Sequence, residues 1–239
     1  MKPKNLNFAF TLAETLIVIG IIGVVAALTL PNLNHATGDK EKVTRVKKAY
    51  SALSESFDRA SVIYGSIDEW FKNDSNYLQM SERAGKRIAE FMKVSKDCGM
   101  TESGCLSSNI KDYDGNAIDA SLLQTYYKFT LPDGMSIAIT NTNMFAMDIL
   151  VDIDGPNKGK SREGDDLFEF TYLYDNPPPT SAEDWVGASR NQLYPTSNPT
   201  SLTGNFNKTQ TTAWIIQNDN ADYLKCPDEL NWETKTSCN

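Results

Sequence analysis

The sequence has little of what most catalytic and metal sites are built from. Its 239 residues include one histidine, His35, and only four cysteines. A single histidine excludes a histidine-rich metal site and argues against Ser-His-Asp or Cys-His catalysis. The chain also lacks the GxSxG and HExxH motifs, and no pair of carboxylates stands out as a catalytic pair. These absences predict that the protein is not an enzyme.

Positive charge is scarce as well. The chain has 23 Lys and Arg against 31 Asp and Glu, a net charge of −8. Because nucleic-acid binding needs a basic face, we expect no nucleic-acid partner. Residues 1–50 nevertheless carry +4, with seven basic and three acidic side chains, which leaves −12 for the rest. A basic start joined to an acidic body is typical of a membrane-proximal segment followed by a solvated domain.

The four cysteines stand as two close pairs, Cys98 with Cys105 and Cys226 with Cys238. Their spacing does not match the CxxC pairs of a zinc ribbon. An even count favours disulfides, and the alternative is four free thiols in a cytosolic protein. An export-like N-terminus in the same chain favours the disulfides. If the close pairs are bonded, each short loop would contribute roughly 2.5–3 kcal/mol to stability.

Residues 10–30 form a long apolar run in which Glu14 is the only charge. As a helix the run would be roughly 32 Å long, which matches a hydrocarbon core of about 30 Å. It fits a signal anchor, a signal peptide cleaved after the run, or a segment processed before the run. Glu14 discriminates among these, because a carboxylate within a membrane costs about 2.5–3.5 kcal/mol and needs a partner. Cleavage just upstream would supply that partner as a new α-amino group.

The segment Ala9-Phe10-Thr11-Leu12-Ala13-Glu14, followed by the apolar run, resembles the prepilin motif of type IV pilins and type II secretion pseudopilins. In that family a short basic leader is cut before a Phe, the new amino group is methylated, and a Glu lies at the fifth mature position. The resemblance implies cleavage between Ala9 and Phe10, N-methylation of Phe10, and a charge pair between Glu14 and that amino group. The family usually has Gly where this chain has Ala9.

The resemblance also implies an organisation and a function. Residues 1–9 would be the basic leader, 10–32 a transmembrane and filament-core helix, and 33–239 an extracytoplasmic pilin-like domain with an irregular segment at 176–212. The chain would be a structural subunit of a type IV pilus or type II secretion pseudopilus, assembled through its apolar N-terminal helix. Its partners would be other subunits, the prepilin peptidase, the inner-membrane assembly platform and the membrane. It would cross the bacterial inner membrane once before entering the filament. The alternative is a membrane-anchored or tip-located adhesin that binds through its C-terminal loops.

Hydrophobic periodicity predicts an α+β fold. An apolar stripe with spacings of three and four indicates an amphipathic helix that packs on the chain's own domain: Val43, Val46, Tyr50, Leu53, Phe57, Ala60 and Tyr64. Pro31 is expected to kink the helix before this half. A second helix within 77–96 and strands at 126–131, 136–140, 145–152 and 167–174 follow. We therefore expect a long N-terminal helix, with a membrane half and an amphipathic half, packed on a roughly four-stranded antiparallel sheet.

Two polar clusters leave alternatives open. The basic residues Lys40, Lys42, Arg45, Lys47 and Lys48 form either a solvated helix face or a contact with lipid head groups or acidic neighbours. The turn after the third predicted strand offers oxygen ligands of the kind that calcium prefers: Asp152, Asp154, Asn157, Asp165 and Asp166. Pro156 stands where an EF-hand loop would have its third ligand, and several basic residues follow. This turn is therefore either a calcium site or an Asx/Gly turn between strands.

Overall fold

The computed structural model divides the chain into two compact units, Met1–Glu41 and Lys42–Asn239. It describes residues 12–72, 74–100, 104–141, 145–175, 189–195 and 202–238, without the side chains of Glu14, residues 26–37 and Ala120. The predicted cleavage site at Ala9 and Phe10 lies outside these residues. The first helix, α1 (Leu12–Tyr64), contributes residues to both units.

In the first unit, the described apolar side chains of α1 are exposed. Their exposed fractions run from 53% to 82% in Leu12, Leu16, Ile17, Val18, Ile19, Ile21, Ile22, Val24 and Val25. They occupy successive positions, so they surround the helix instead of forming one stripe. In the part of the chain with described side chains, no helix is both long enough and apolar enough to span a membrane.

The second unit is built on a six-stranded antiparallel sheet whose strands lie side by side in chain order. The strands are β1 (Lys96–Gly99), β2 (Tyr127–Thr130), β3 (Ser136–Asn141), β4 (Ala146–Asp152), β5 (Leu167–Leu173) and β6 (Gln192–Tyr194). A turn over 132–134 joins β2 to β3, and Gly134 there has a φ of 92°, which favours glycine. The four central strands confirm the four predicted segments.

One face of the sheet carries the main core. Alternate residues of the central strands, such as Phe129, Ile149 and Phe170, are buried there. The part of α1 in this unit packs on that face, and the rings of Phe57 and Tyr172 stack with centroids 4.1 Å apart. The predicted stripe is confirmed, with Val43, Val46, Leu53, Phe57 and Ala60 buried and Tyr50 and Tyr64 packed at its margin. The short helix α2 (Ile67–Trp70) and the helix α3 (Tyr77–Ala89) complete this layer.

The opposite face of the sheet is covered by the segment that follows β1. Apolar residues of that segment form a second, smaller core with the outer side chains of the sheet: Leu106, Ile110, Leu123, Ala138 and Leu167. Lys128 lies fully buried on this face. Its ammonium donates to the carbonyls of Leu123, at 2.5 Å, and Tyr126, at 3.0 Å. It thereby adds a donor at the end of a 3₁₀ helix over Ala120–Thr125, where the carbonyl of Leu123 also accepts from the amide of Tyr126.

These observations correct the predicted fold class. The sheet has six strands instead of about four, because β1 and β6 are short edge strands of four and three residues without an apolar alternation. The predicted membrane half is not found, since no helix with described side chains meets the length and hydrophobicity of a span. Only the residues of α1 from 42 onwards belong to the unit that holds the sheet, so a single long helix packed along the sheet is wrong. The second helix, predicted within 77–96, is confirmed as Tyr77–Ala89.

Candidate functional site

The sequence-predicted site residues fall into three groups in the structure. Ala9 and Phe10 are outside the described residues, and Glu14 and Pro31 lie within the bounds of α1 without described side chains. The assigned helix runs through position 31, and the predicted kink there stays a prediction. The cysteines and the Asp-rich turn are described in full.

Both predicted disulfides are confirmed. Cys98 and Cys105 are bonded with Cα atoms 6.0 Å apart, which ties the edge strand β1 to the loop after it. Cys226 and Cys238 are bonded with Cα atoms 6.1 Å apart and close a loop near the end of the chain. The amide of Cys238 also donates to the carboxylate of Asp222 at 2.8 Å. Both bridges therefore fix loops at the margins of the second unit.

The basic segment of α1, defined as Lys42, Arg45, Lys47 and Lys48, contacts polar groups of its own unit. Four contacts join it to loops at least 85 residues away: Lys42 to Asp165 at 2.6 Å, Arg45 to the carbonyl of Ile153 at 2.9 Å, Lys48 to Asp133 at 2.5 Å, and Lys47 to Asp219. A purely solvated face is therefore not found, and the expected contact with acidic neighbours is: Lys42, Lys47 and Lys48 pair with aspartates, although Lys47 and Lys48 stay 38% and 60% exposed. The segment fastens α1 to three loops of the second unit.

The Lys42–Asp165 pair is the most buried of the three ion pairs. Its side chains are only 12% and 16% exposed, against 60% and 30% for Lys48 and Asp133. Burial alone would raise the pKa of Asp165, but hydrogen bonds from Lys160 and Lys42 hold it below its usual range. Charge pairs at this depth are screened less by salt than exposed ones.

Replacing Lys42 with Met is expected to cost about 1–3 kcal/mol in the free energy of unfolding, because a charged hydrogen bond at a buried carboxylate is lost. Lys48→Met is the matched control on the same helix, and its largely exposed pair should cost less than about 1 kcal/mol. Urea unfolding of both variants at equal ionic strength measures the difference. Equal losses would contradict a special role for the Lys42 contact.

Three carboxylates converge in the loop between β4 and β5. Asp152, fully buried at the end of β4, accepts from the amides of Gly155 at 2.8 Å and Asp154 at 3.3 Å. Asp166 accepts from the amides of Ser161 at 2.9 Å and Arg162 at 2.6 Å, and from that of Lys160. A Cβ atom at Gly159, whose φ is 64°, would collide with the carboxylates of both Asp154 and Asp166. The loop thus holds these acids close together around a glycine.

Two oxygens of this cluster have no hydrogen-bond partner among the described residues. They are Oδ2 of Asp152 and Oδ1 of Asp154, and both are buried. Burial, together with the neighbouring carboxylates of Asp154 and Asp166, raises the pKa of Asp152 to about 7. Burial also raises the pKa of Asp154. The arrangement therefore favours a proton shared within the cluster near neutral pH.

The predicted calcium ligands are not brought together as one set. The carboxylate of Asp165 pairs with Lys42 and Lys160. One oxygen of Asp152 is already used to accept from the amide of Gly155 in the turn. Within the described part of the chain, no group of three or more His, Cys, Asp or Glu is placed to hold a metal ion. The hydrogen bonds of Asp152 are those of an Asx turn, and Asp166 accepts from amides earlier in the same loop. Calcium binding stays a prediction.

None of the known protein families, curated proteins and solved structures compared with this chain matches it. The assignment of a function therefore depends on the residues themselves. Sequence patterns did not reveal which groups the basic segment contacts, because the partners of Lys42 and Lys47 lie 123 and 172 residues away in the sequence. The signal that could have suggested them is the pairing of a basic helix segment with Asp-rich turns in an acidic body.

Proposed function

We propose that the chain is a structural subunit of a filament of the type IV pilus or type II secretion pseudopilus class. The observation that carries the proposal is the segment from Ala9 to Glu14, placed directly before an apolar run with no other charge. A prepilin peptidase would cut between Ala9 and Phe10, and the apolar segment that begins at Phe10 would pack on the same segment of other subunits.

Three features of the described residues support this proposal. The first unit exposes large aliphatic side chains around α1, which favours their burial against another chain. The two disulfides suit an oxidising compartment outside the cytoplasm. The basic segment fastens the second half of α1 to the body, so a pull on the helix would be transmitted to the sheet. Each feature is useful to a subunit that is drawn into a filament by its N-terminal segment.

The test is mass spectrometry of the N-terminus of the full chain, recovered from membranes and from sheared filaments of cells that carry a prepilin-processing system. The expected mature chain begins at N-methylated Phe10. Ala9→Gly, which installs the residue usual in the family, should be cut at least as completely, and Ala9→Asp is the uncleaved control. A chain that begins at Met1 would contradict the proposal, as would a chain that begins after Leu30.

A further inference from the structure

An apolar groove runs along α1 on the second unit. It has a volume of about 470 Å³ and lies between α1, the residues after α3, and the turn from β2 to β3. Its apolar lining is Ala52, Phe91, Met92, Leu131 and Pro132. Phe91 and Met92 are only partly buried against the core and present the rest of their surface to the groove.

The side of α1 that lines the groove continues towards the end of the helix with exposed aliphatic residues. The groove uses positions 48, 52, 55, 56 and 59 of the helix, which share one side at helical spacing. Three and four residues after Arg59 come Val62 and Ile63, which are 83% and 64% exposed. Large aliphatic side chains at such exposure on a groove's own helical side indicate a surface that another molecule covers.

The rim of the groove is basic, although the chain is acidic. Lys48, Arg59 and Lys93 stand against Glu55 and Asp133, a net charge of +1 in a chain of −8. Lys48 pairs with Asp133 and Arg59 with Glu55, whereas Lys93 makes no ion pair with a described residue. Leu131 also lines a neighbouring hollow in which two lysines without described ion pairs, Lys96 and Lys158, stand against one acid, Asp154. The partner that fits is therefore apolar in part and acidic.

A loop with the acidic charge that the groove requires of its partner lies on the other face of the same sheet. It spans residues 111–119, where Asp112, Asp114 and Asp119 outnumber Lys111. Ile110, directly before the loop, and Ile118, within it, pack in the core of the face opposite α1. Asp114 pairs with Lys208, whereas Asp112 accepts from Asn116 and Asp119 from Ser121, and neither makes an ion pair with a described cation. A contact between the two surfaces joins different faces of two copies, which is the head-to-tail geometry that builds open filaments.

We propose that the groove along α1 receives the acidic loop 111–119 of a second copy of this chain. The inference rests on the proposed filament function and names one of its subunit contacts. The lysines of the groove attract the loop, and the apolar lining with Val62 and Ile63 is covered when the copies meet.

The test places the photo-crosslinking residue p-benzoylphenylalanine at Met92 of the full chain, in cells that assemble it. Irradiation should give a covalent dimer, and digestion should identify the crosslinked peptide as one containing residues 111–119. The same probe at Leu78, exposed on α3 outside the groove, should give several-fold less dimer. Lys93→Glu should lower the yield at Met92 several-fold, whereas Lys72→Glu, an equal charge change on an exposed lysine outside the groove, should not.

Four results would overturn the inference: no crosslink, a crosslink to lipid or another protein, one within a single copy, and one to another part of a second copy. The N-terminus of the same preparation is measured in parallel. If it begins at Phe10 while the crosslink fails, the groove contact is wrong and the filament proposal stands. If it begins elsewhere, the filament proposal itself is wrong.

Discussion

The Glu14→Ala variant is expected to be processed and to fold like the wild type, yet to be absent from filaments. Glu14 is the only charge within residues 10–30. Cleavage after Ala9 would create an ammonium group at Phe10, four residues away. In an apolar filament interior these two charges are each other's natural partners, within one subunit or between neighbours.

The size of the effect follows from the cost of an unpaired buried charge. Removing one partner of a buried ion pair costs about 3–5 kcal/mol, since the other charge stays behind without compensation. Each 1.4 kcal/mol is a factor of ten in an equilibrium, so one subunit contact weakened by this amount loses roughly two to three orders of magnitude in affinity. A filament repeats the contact at every subunit, and we expect its assembly to fail.

Two further variants test whether the charge of Glu14 is the cause of the assembly defect. Glu14→Gln keeps the size of the side chain without its charge and should fail as Glu14→Ala does, if charge is what matters. Glu69→Ala removes an exposed carboxylate of α2 and should assemble normally. The measurement is the amount of each variant in sheared filaments relative to total cellular protein. Normal incorporation of Glu14→Ala would disprove the charge pair.

Local patterns in the sequence predicted those parts of the fold that depend on neighbours along the chain. The stripe on α1 follows from a spacing of three and four, and the strands β2 to β5 follow from short apolar runs around turns. The disulfides joined cysteines only 7 and 12 residues apart. In each of these cases the interacting groups lie close in sequence, so the pattern carries the information.

The remaining features depend on groups that meet only after folding. β1 reads Lys-Asp-Cys-Gly and becomes a strand because β2 offers it an edge, not because of its own propensity. Lys128 occupies a position that looks solvent-facing by alternation, but the segment over that face buries it and supplies two carbonyls. The pairing of the basic segment of α1 and the burial of Asp152 are of the same kind. The N-terminal motif is a different case, since its meaning depends on other molecules.

The second unit is expected to lose stability as the pH rises from about 4 to 7, and Asp152→Asn should remove part of that loss. Burial raises the pKa of Asp152 to about 7, well above its usual 3.8. The folded state therefore binds the proton more tightly than the unfolded chain does. Stability from this group is fully present below the unfolded pKa and is lost as the pH rises through the folded pKa. A difference of three units corresponds to at most about 4 kcal/mol.

Asparagine imitates the protonated form of Asp152. Its carbonyl oxygen can accept from the amides of Gly155 and Asp154, and its amide group can donate to the carboxylate of Asp154. Asp152→Asn should therefore be close to wild type near pH 3, below the unfolded pKa, and more stable than wild type at pH 8. Glu169, whose pKa burial likewise raises to about 7, keeps some of the pH dependence in this variant, and Glu169→Gln should remove that share.

Asp165→Asn is the control with the opposite sign, thirteen residues along the same loop region. Hydrogen bonds from Lys160 and Lys42 hold the pKa of Asp165 below its usual value, so its contribution is present above the unfolded pKa and is lost as the pH falls through the folded pKa. Asp165→Asn should therefore destabilise the unit at pH 7 and have little effect near pH 3. Urea unfolding of the wild type and the three variants between pH 3 and 8 measures these differences in stability. If Asp152→Asn were less stable than wild type at pH 8, the carboxylate of Asp152 would be serving the fold in its charged form, and a bound cation would become the better account of the loop.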